Sequence, residues 1–129
     1  VGILVALSTS AFLGAKRSAR DAERKADLED IRSALEISRA DCGLYPPDAE
    51  VVPGSVFDYT CGGTNNVYMS LVPNDPLNGS RGYLYKYTRV TNSTYRLCAY
   101  LENGSVAVAA CGNCDTGDTV NCNYSAVNP

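Results

Sequence analysis

No proline occurs before Pro46, and no glycine stands between Gly14 and Gly43. Ala, Leu, Glu, Lys and Arg dominate the same stretch, and these side chains lose little rotamer freedom in a helix. The spacing therefore predicts one helix over residues 1–42, roughly 60 Å long at about 1.5 Å per residue. Its end is written into Asp41-Cys42-Gly43: Gly43 can turn left-handed as a C-terminal cap, and Tyr45-Pro46-Pro47 forbids continuation. A typical globular helix has about 12 residues. One small domain cannot cover a helix this long, so part of it must find another partner.

The helix changes character along its length. Val1 to Ala15 carry no charge, yet a bilayer-spanning helix needs roughly 20 apolar residues. Apolar residues come first and charges afterwards, the reverse of a secretory signal peptide. The chain is thus expected to start partway along a hydrophobic helix. From Lys16 to Arg32 the sequence is densely and oppositely charged: Lys16, Arg17, Arg20, Asp21, Glu23, Arg24, Lys25, Asp27, Glu29, Asp30 and Arg32. Such a pattern suits a solvated helix face. Leu28, Ile31 and Leu35 then recur at helical spacing and form an apolar stripe. The C-terminal half of the helix is expected to pack on a domain, and the apolar half to enter a bilayer or join copies of itself.

A chain of 129 residues accommodates one domain, so residues 43–129 are expected to form a single globular head. Residues 44–80 are rich in Pro, Gly and Asn and read as loop, with a short helical turn at Val67-Tyr68-Met69-Ser70-Leu71. Beyond them the hydrophobic period becomes two. Tyr83, Tyr85 and Tyr87 alternate with Leu84, Lys86 and Thr88, which suits a half-buried strand whose tyrosines fill the core against the helix. Thr94 to Leu101 forms a second strand, Asn103-Gly104 is a hairpin signal, and Ser105 to Ala110 is a third strand. The fold class expected is α+β. A long N-terminal α-helix packs on a small three-stranded antiparallel sheet, followed by a cysteine-rich C-terminal loop.

Chemistry is constrained by what the chain lacks. Histidine is absent, which removes Ser-His-Asp and Cys-His catalysis and the usual catalytic zinc sites. No nucleophile–base pair can be assembled, no catalytic residue is assigned, and an enzyme is not expected. A net charge of -3 argues against nucleic acid, which calls for a concentrated basic surface. The six cysteines, Cys42, Cys61, Cys98, Cys111, Cys114 and Cys122, favour disulfides in an oxidising compartment, though sequence alone does not choose the pairing. Cys111-Gly112-Asn113-Cys114 precedes a loop, with no helix to lower a thiol pKa, so structural disulfides are favoured over redox chemistry. Sequons begin at Asn78, Asn92, Asn103 and Asn123 and mark glycosylation candidates in a chain outside the cytosol.

Several segments together resemble the type IV pilin and type II secretion pseudopilin superfamily. They are Val1-Gly2-Ile3-Leu4-Val5-Ala6, Ala22-Glu23-Arg24-Lys25-Ala26-Asp27-Leu28, Ile31-Arg32-Ser33-Ala34-Leu35, Asp41-Cys42-Gly43-Leu44-Tyr45-Pro46 and Leu71-Val72-Pro73-Asn74-Asp75-Pro76. Many relatives have Asn in place of Cys42, and their opening Phe-Thr-Leu-Ile-Glu is not in this sequence. The resemblance covers residues 1–47 and 68 to about 110. It implies a helix inside a filament and a small α+β head outside it, in an extracellular, cell-surface homo-oligomer held in the inner membrane before assembly. Val1, Ile3, Leu4, Val5, Leu7, Phe12 and Leu13 would then be the assembly surface. The alternatives are a type II secretion major pseudopilin and, from another class, a secreted disulfide-rich binding module. The disulfides expected are Cys42–Cys61, Cys98–Cys111 and Cys114–Cys122. No cofactor is expected beyond a candidate Ca²⁺ site at Asp115 and Asp118, because some pseudopilins bind calcium near the C-terminus.

Overall fold

The computed structural model describes residues 2–104 and 106–129 and, of the side chains in the first seven residues, that of Val5. Helix α1 runs Gly2–Cys42. Gly43 stops it at φ +77°, and its N–H donates back to the Arg39 carbonyl at 2.7 Å. A side chain is strained in that conformation, which is why glycine stands there.

Six further elements follow: strands β1 (Phe57–Cys61) and β2 (Thr64–Met69), the short helix α2 (Asn78–Arg81), and strands β3 (Lys86–Thr91), β4 (Thr94–Ala99) and β5 (Tyr124–Val127). Two 3₁₀ turns, Asp48–Glu50 and Ala109–Cys111, lie between them. Strands β1 and β2 form an antiparallel hairpin, and β3, β4 and β5 form an antiparallel sheet in that order. The fold is α+β.

Four sequence-based expectations are corrected. The stretch 67–71 is not a helical turn, because Val67, Tyr68 and Met69 end β2. Between β1 and β2 stand Gly62 and Gly63, at φ +64° and +83°. A tight hairpin needs two such residues in succession. Of the third strand expected at 105–110, Ser105 lies outside the described residues and 106–110 is not a strand; the third strand of the main sheet is Tyr124–Val127. The Asn103-Gly104 turn does not close a hairpin, because Asp21 of α1 accepts from the N–H groups of Glu102 and Asn103 at 2.8 and 2.9 Å. The free edge of β4 goes instead to the C-terminal segment, where Asn123 N–H donates to the Ala99 carbonyl. The first strand of the sheet also starts later than the alternation suggested, at Lys86, and Tyr83 makes an isolated bridge to Asp115.

The core lies between the C-terminal half of α1 and the main sheet. Leu28, Ile31, Ala34 and Leu35 meet Tyr85, Tyr87, Tyr95, Leu97, Ala99 and Ala126, with Tyr45, Val51, Phe57 and Val72 closing the sides. Each large apolar side chain buried here contributes about 1.5–3 kcal/mol. The tyrosines carry their hydroxyls to partners at the edge: Tyr85 donates to Asp27 at 2.6 Å, Tyr87 to the Pro46 carbonyl at 2.8 Å, and Tyr45 to Glu36 at 2.7 Å. Burial comes first among the causes that raise the Tyr85 phenol above its ordinary range.

A second cluster is made of cysteines. The chain forms Cys42–Cys61, Cys98–Cys111 and Cys114–Cys122. The first ties the end of α1 to the end of β1. The second joins β4 to a 3₁₀ turn rather than to another strand, and the third closes the tail. Cys98, Cys111, Cys114 and Cys122 pack together as a compact group separate from the main core. Loops of 8 to 19 residues place each bond at about 3 kcal/mol of unfolded-state restriction.

Candidate functional site

The burial of α1 changes abruptly near Arg20. Every described side chain from Val5 to Ala19 is exposed, including Val5 at 60%, Phe12 at 59% and Leu13 at 56%. A Cβ added at Gly14 would meet nothing within 4 Å. After Arg20, burial follows the helical period through Asp21, Arg24, Leu28, Ile31, Leu35 and Ser38. Of the expected assembly residues, Val5, Phe12 and Leu13 thus lie on the uncovered part, whereas Val1 and the side chains of Ile3, Leu4 and Leu7 lie outside the described residues. Among the described residues, no helix is long and apolar enough to cross a membrane.

A charged collar sits where the exposed part meets the head. Arg24 is fully buried. Its guanidinium is bidentate to Asp75 at 2.7 and 3.0 Å and also donates to Asp21 at 2.8 Å and Glu102 at 2.9 Å. Arg20 is bidentate to Glu102 at 2.6 and 2.8 Å. Asp75 also accepts from the Leu77 N–H at 2.8 Å. Two arginines and three carboxylates therefore satisfy one another across α1, the Asp75 loop and the loop after β4. Burial alone would lower the Arg24 pKa, but its bonds to Asp75 and Glu102 outweigh burial and raise it. The Glu102 carboxyl is held down at about 2, first by its hydrogen bond from Arg20, against the opposing effect of burial. Bidentate pairs fix orientation as well as charge, so the collar sets the angle at which the exposed helix leaves the head.

From sequence the charged run reads as a solvated face, and that reading misses the collar. A signal was present. Arg24 stands four residues before Leu28, on the same helical face as the apolar stripe, so its side chain had to be buried with partners.

The remaining candidates fall in separate places. Asp115 is buried, and its carboxylate accepts from the N–H groups of Thr119 and Val120 at 2.9 and 3.0 Å and from the Thr119 hydroxyl at 2.6 Å. These bonds, that from the Thr119 side chain first, lower its pKa. Asp118 is exposed, at φ +53°. Among the described residues no group of three or more His, Cys, Asp or Glu is placed to hold a metal ion. The sequon asparagines also differ. Asn78 donates to the Tyr83 carbonyl, Asn123 both donates to and accepts from the Leu101 backbone, and Asn103 reaches Ser18 at 3.3 Å. Asn92 is exposed in the turn between β3 and β4. Comparison with protein-family models, with curated proteins and with solved structures yields no match.

Proposed function

We propose that this chain is a structural subunit of an extracellular helical filament of the type IV pilin kind, assembling through the exposed part of α1. The observation that carries the reading is the unequal burial of a single helix, whose described side chains are exposed from Val5 to Ala19 and follow a buried stripe from Asp21 onward. Exposed Val5, Phe12 and Leu13 gain by leaving water, and copies of the same helix or a bilayer supply the cover. Contacts of this head-to-tail type do not close, and so they propagate as a helix. Gly14, with Ala11 and Ala15 nearby, lets neighbouring helices approach closely. The three disulfides suit a head that persists outside the cell.

The collar gives the reading a mechanical part. Load carried along a filament reaches each head through α1, and the Arg20–Glu102 and Arg24–Asp75 pairs lock the head to the helix at that point. No catalytic step is assigned to any residue.

Negative-stain electron microscopy of native-source material carrying this chain tests the proposal. Thin helical filaments containing the chain are the expected result, and filaments on whole cells favour a pilus over a secretion pseudopilus. Monodisperse particles from the native source would overturn the filament reading in favour of a secreted binding module.

A further inference from the structure

Beside the collar, α1 and the head enclose a cleft of about 350 Å³. On the helix it is lined by Leu13, Lys16, Arg17 and Arg20, and on the head by Arg81 and Glu102 among others. The helix residues recur three and four apart and so share one face. Arg81 comes from the last turn of α2, so cations from two separate elements converge on the same space. Arg20 is already bidentate to Glu102, whereas Arg17 and Arg81 are exposed.

The charge balance makes this concentration distinctive. The whole chain carries -3, so four cations against one carboxylate here leave a net of -6 elsewhere. A concave basic surface on an otherwise acidic molecule focuses the field toward an anion. Its location narrows the anion further. Leu13 gives the cleft an apolar edge, its neighbour Phe12 is also exposed, and the Lys16 ammonium lies 4.6 Å from the Phe12 ring centroid. Cationic and apolar side chains thus stand side by side at the start of the charged run, a pairing also favoured at membrane interfaces.

We propose that this cleft binds the phosphate of an anionic phospholipid headgroup while the apolar part of α1 is held in a bilayer. The inference rests on the membrane-held stage of the filament reading. Arg17 and Arg81 supply forked donors that match a phosphodiester, and Lys16 adds a point charge. A carboxylate from a second copy would offer the same charge. A lipid supplies phosphate and acyl chain together, which fits a basic cleft with an apolar rim.

The test is co-flotation of the full chain with vesicles of phosphatidylcholine alone or mixed with phosphatidylglycerol, at physiological salt. The apolar helix sets the baseline on phosphatidylcholine. Phosphatidylglycerol should add binding, and the Arg17→Gln/Arg81→Gln variant should lose roughly 10–30-fold of it, about fivefold per cation, with the baseline unchanged. Lys25→Gln, an exposed cation outside the cleft, serves as the control and should lose far less. An unchanged melting temperature in the double variant confirms that its head still folds. Equal binding to both vesicles, or equal losses in the double variant and the control, overturns the proposal. A melting shift with millimolar inorganic phosphate, without any phosphatidylglycerol increment, assigns a soluble phosphate compound instead and overturns the lipid. Filaments lost in the double variant with vesicle binding intact assign the cleft to a second copy and overturn it as well. Failure of the filament reading shows separately, as wild-type native material without filaments.

Discussion

From Val5 to Ala19 the described side chains of α1 are exposed on all sides, whereas from Asp21 to Ser38 every third or fourth one is buried. The two stretches share one unbroken backbone, so helix propensity does not distinguish them. What differs is the partner. The later stretch has the sheet and its tyrosines against it, and it pairs each buried charge with an opposite one. In the earlier stretch the described side chains stay exposed. The two halves of the helix differ in how much side chain they bury, and single substitutions should separate what each contributes.

The largest effect is expected where the halves meet. Arg24→Ala leaves Asp75, Asp21 and Glu102 without the guanidinium they share, and stranded buried charge costs about 3–5 kcal/mol. Chemical denaturation of the variant should show that loss. A change no greater than that of the exposed Lys25→Ala would mean the collar does not hold the head to the helix.

Next comes a matched pair of leucines. Leu35 is fully buried and Leu13 is 56% exposed. Leu35→Ala should destabilise the head by about 2–5 kcal/mol through lost burial and a residual cavity, whereas Leu13→Ala should stay within about 0.5 kcal/mol. On filament yield the order should reverse, with Leu13→Ala the more damaging at equal amounts of folded chain. Equal stability losses at both sites would erase the distinction between the halves.

The smallest effect is a dependence on pH. Glu102 is held at about 2 against an ordinary 4.5. Because the folded pKa is depressed, the stabilisation is fully present above 4.5 and is lost as pH falls toward and through about 2. Melting temperature should therefore fall more steeply across that window in the wild type than in Glu102→Gln. Asp115, also lowered, and Asp27, raised first by its burial, titrate in both proteins and cancel in the comparison. Parallel curves would show that Glu102 contributes nothing through its charge.

Much of the helix that carries the candidate surface is legible in the sequence. The helix from residue 2 to Cys42 follows from the absence of breakers, and its end from Gly43 and the prolines, because these are local steric constraints. The burial of Leu28, Ile31 and Leu35 follows from their period. The hairpin β1–β2 was less legible. Gly62-Gly63 does signal a tight turn, but the surrounding glycine, proline and asparagine hid two short strands whose pairing is partly exposed. The charged run at residues 16–32 gave no direct sign of which members would be solvated. Glu29 and Arg32 pair at 3.4 Å near the surface, whereas Arg24, in the same run, is completely enclosed.

By itself the sequence determined the long helix, its apolar start, its packing stripe and a cysteine content that calls for cross-links. All of these depend on residues near one another along the chain. Tertiary structure alone decided that Tyr124–Val127 rather than the segment 106–110 would take the edge of β4. It also decided that Asp21 would claim the turn at Glu102 and Asn103, and that Arg24 would meet an aspartate 51 residues away. The physical reason is competition: a backbone edge or a buried charge accepts whichever partner the packed chain brings within reach, and the outcome depends on all the elements at once.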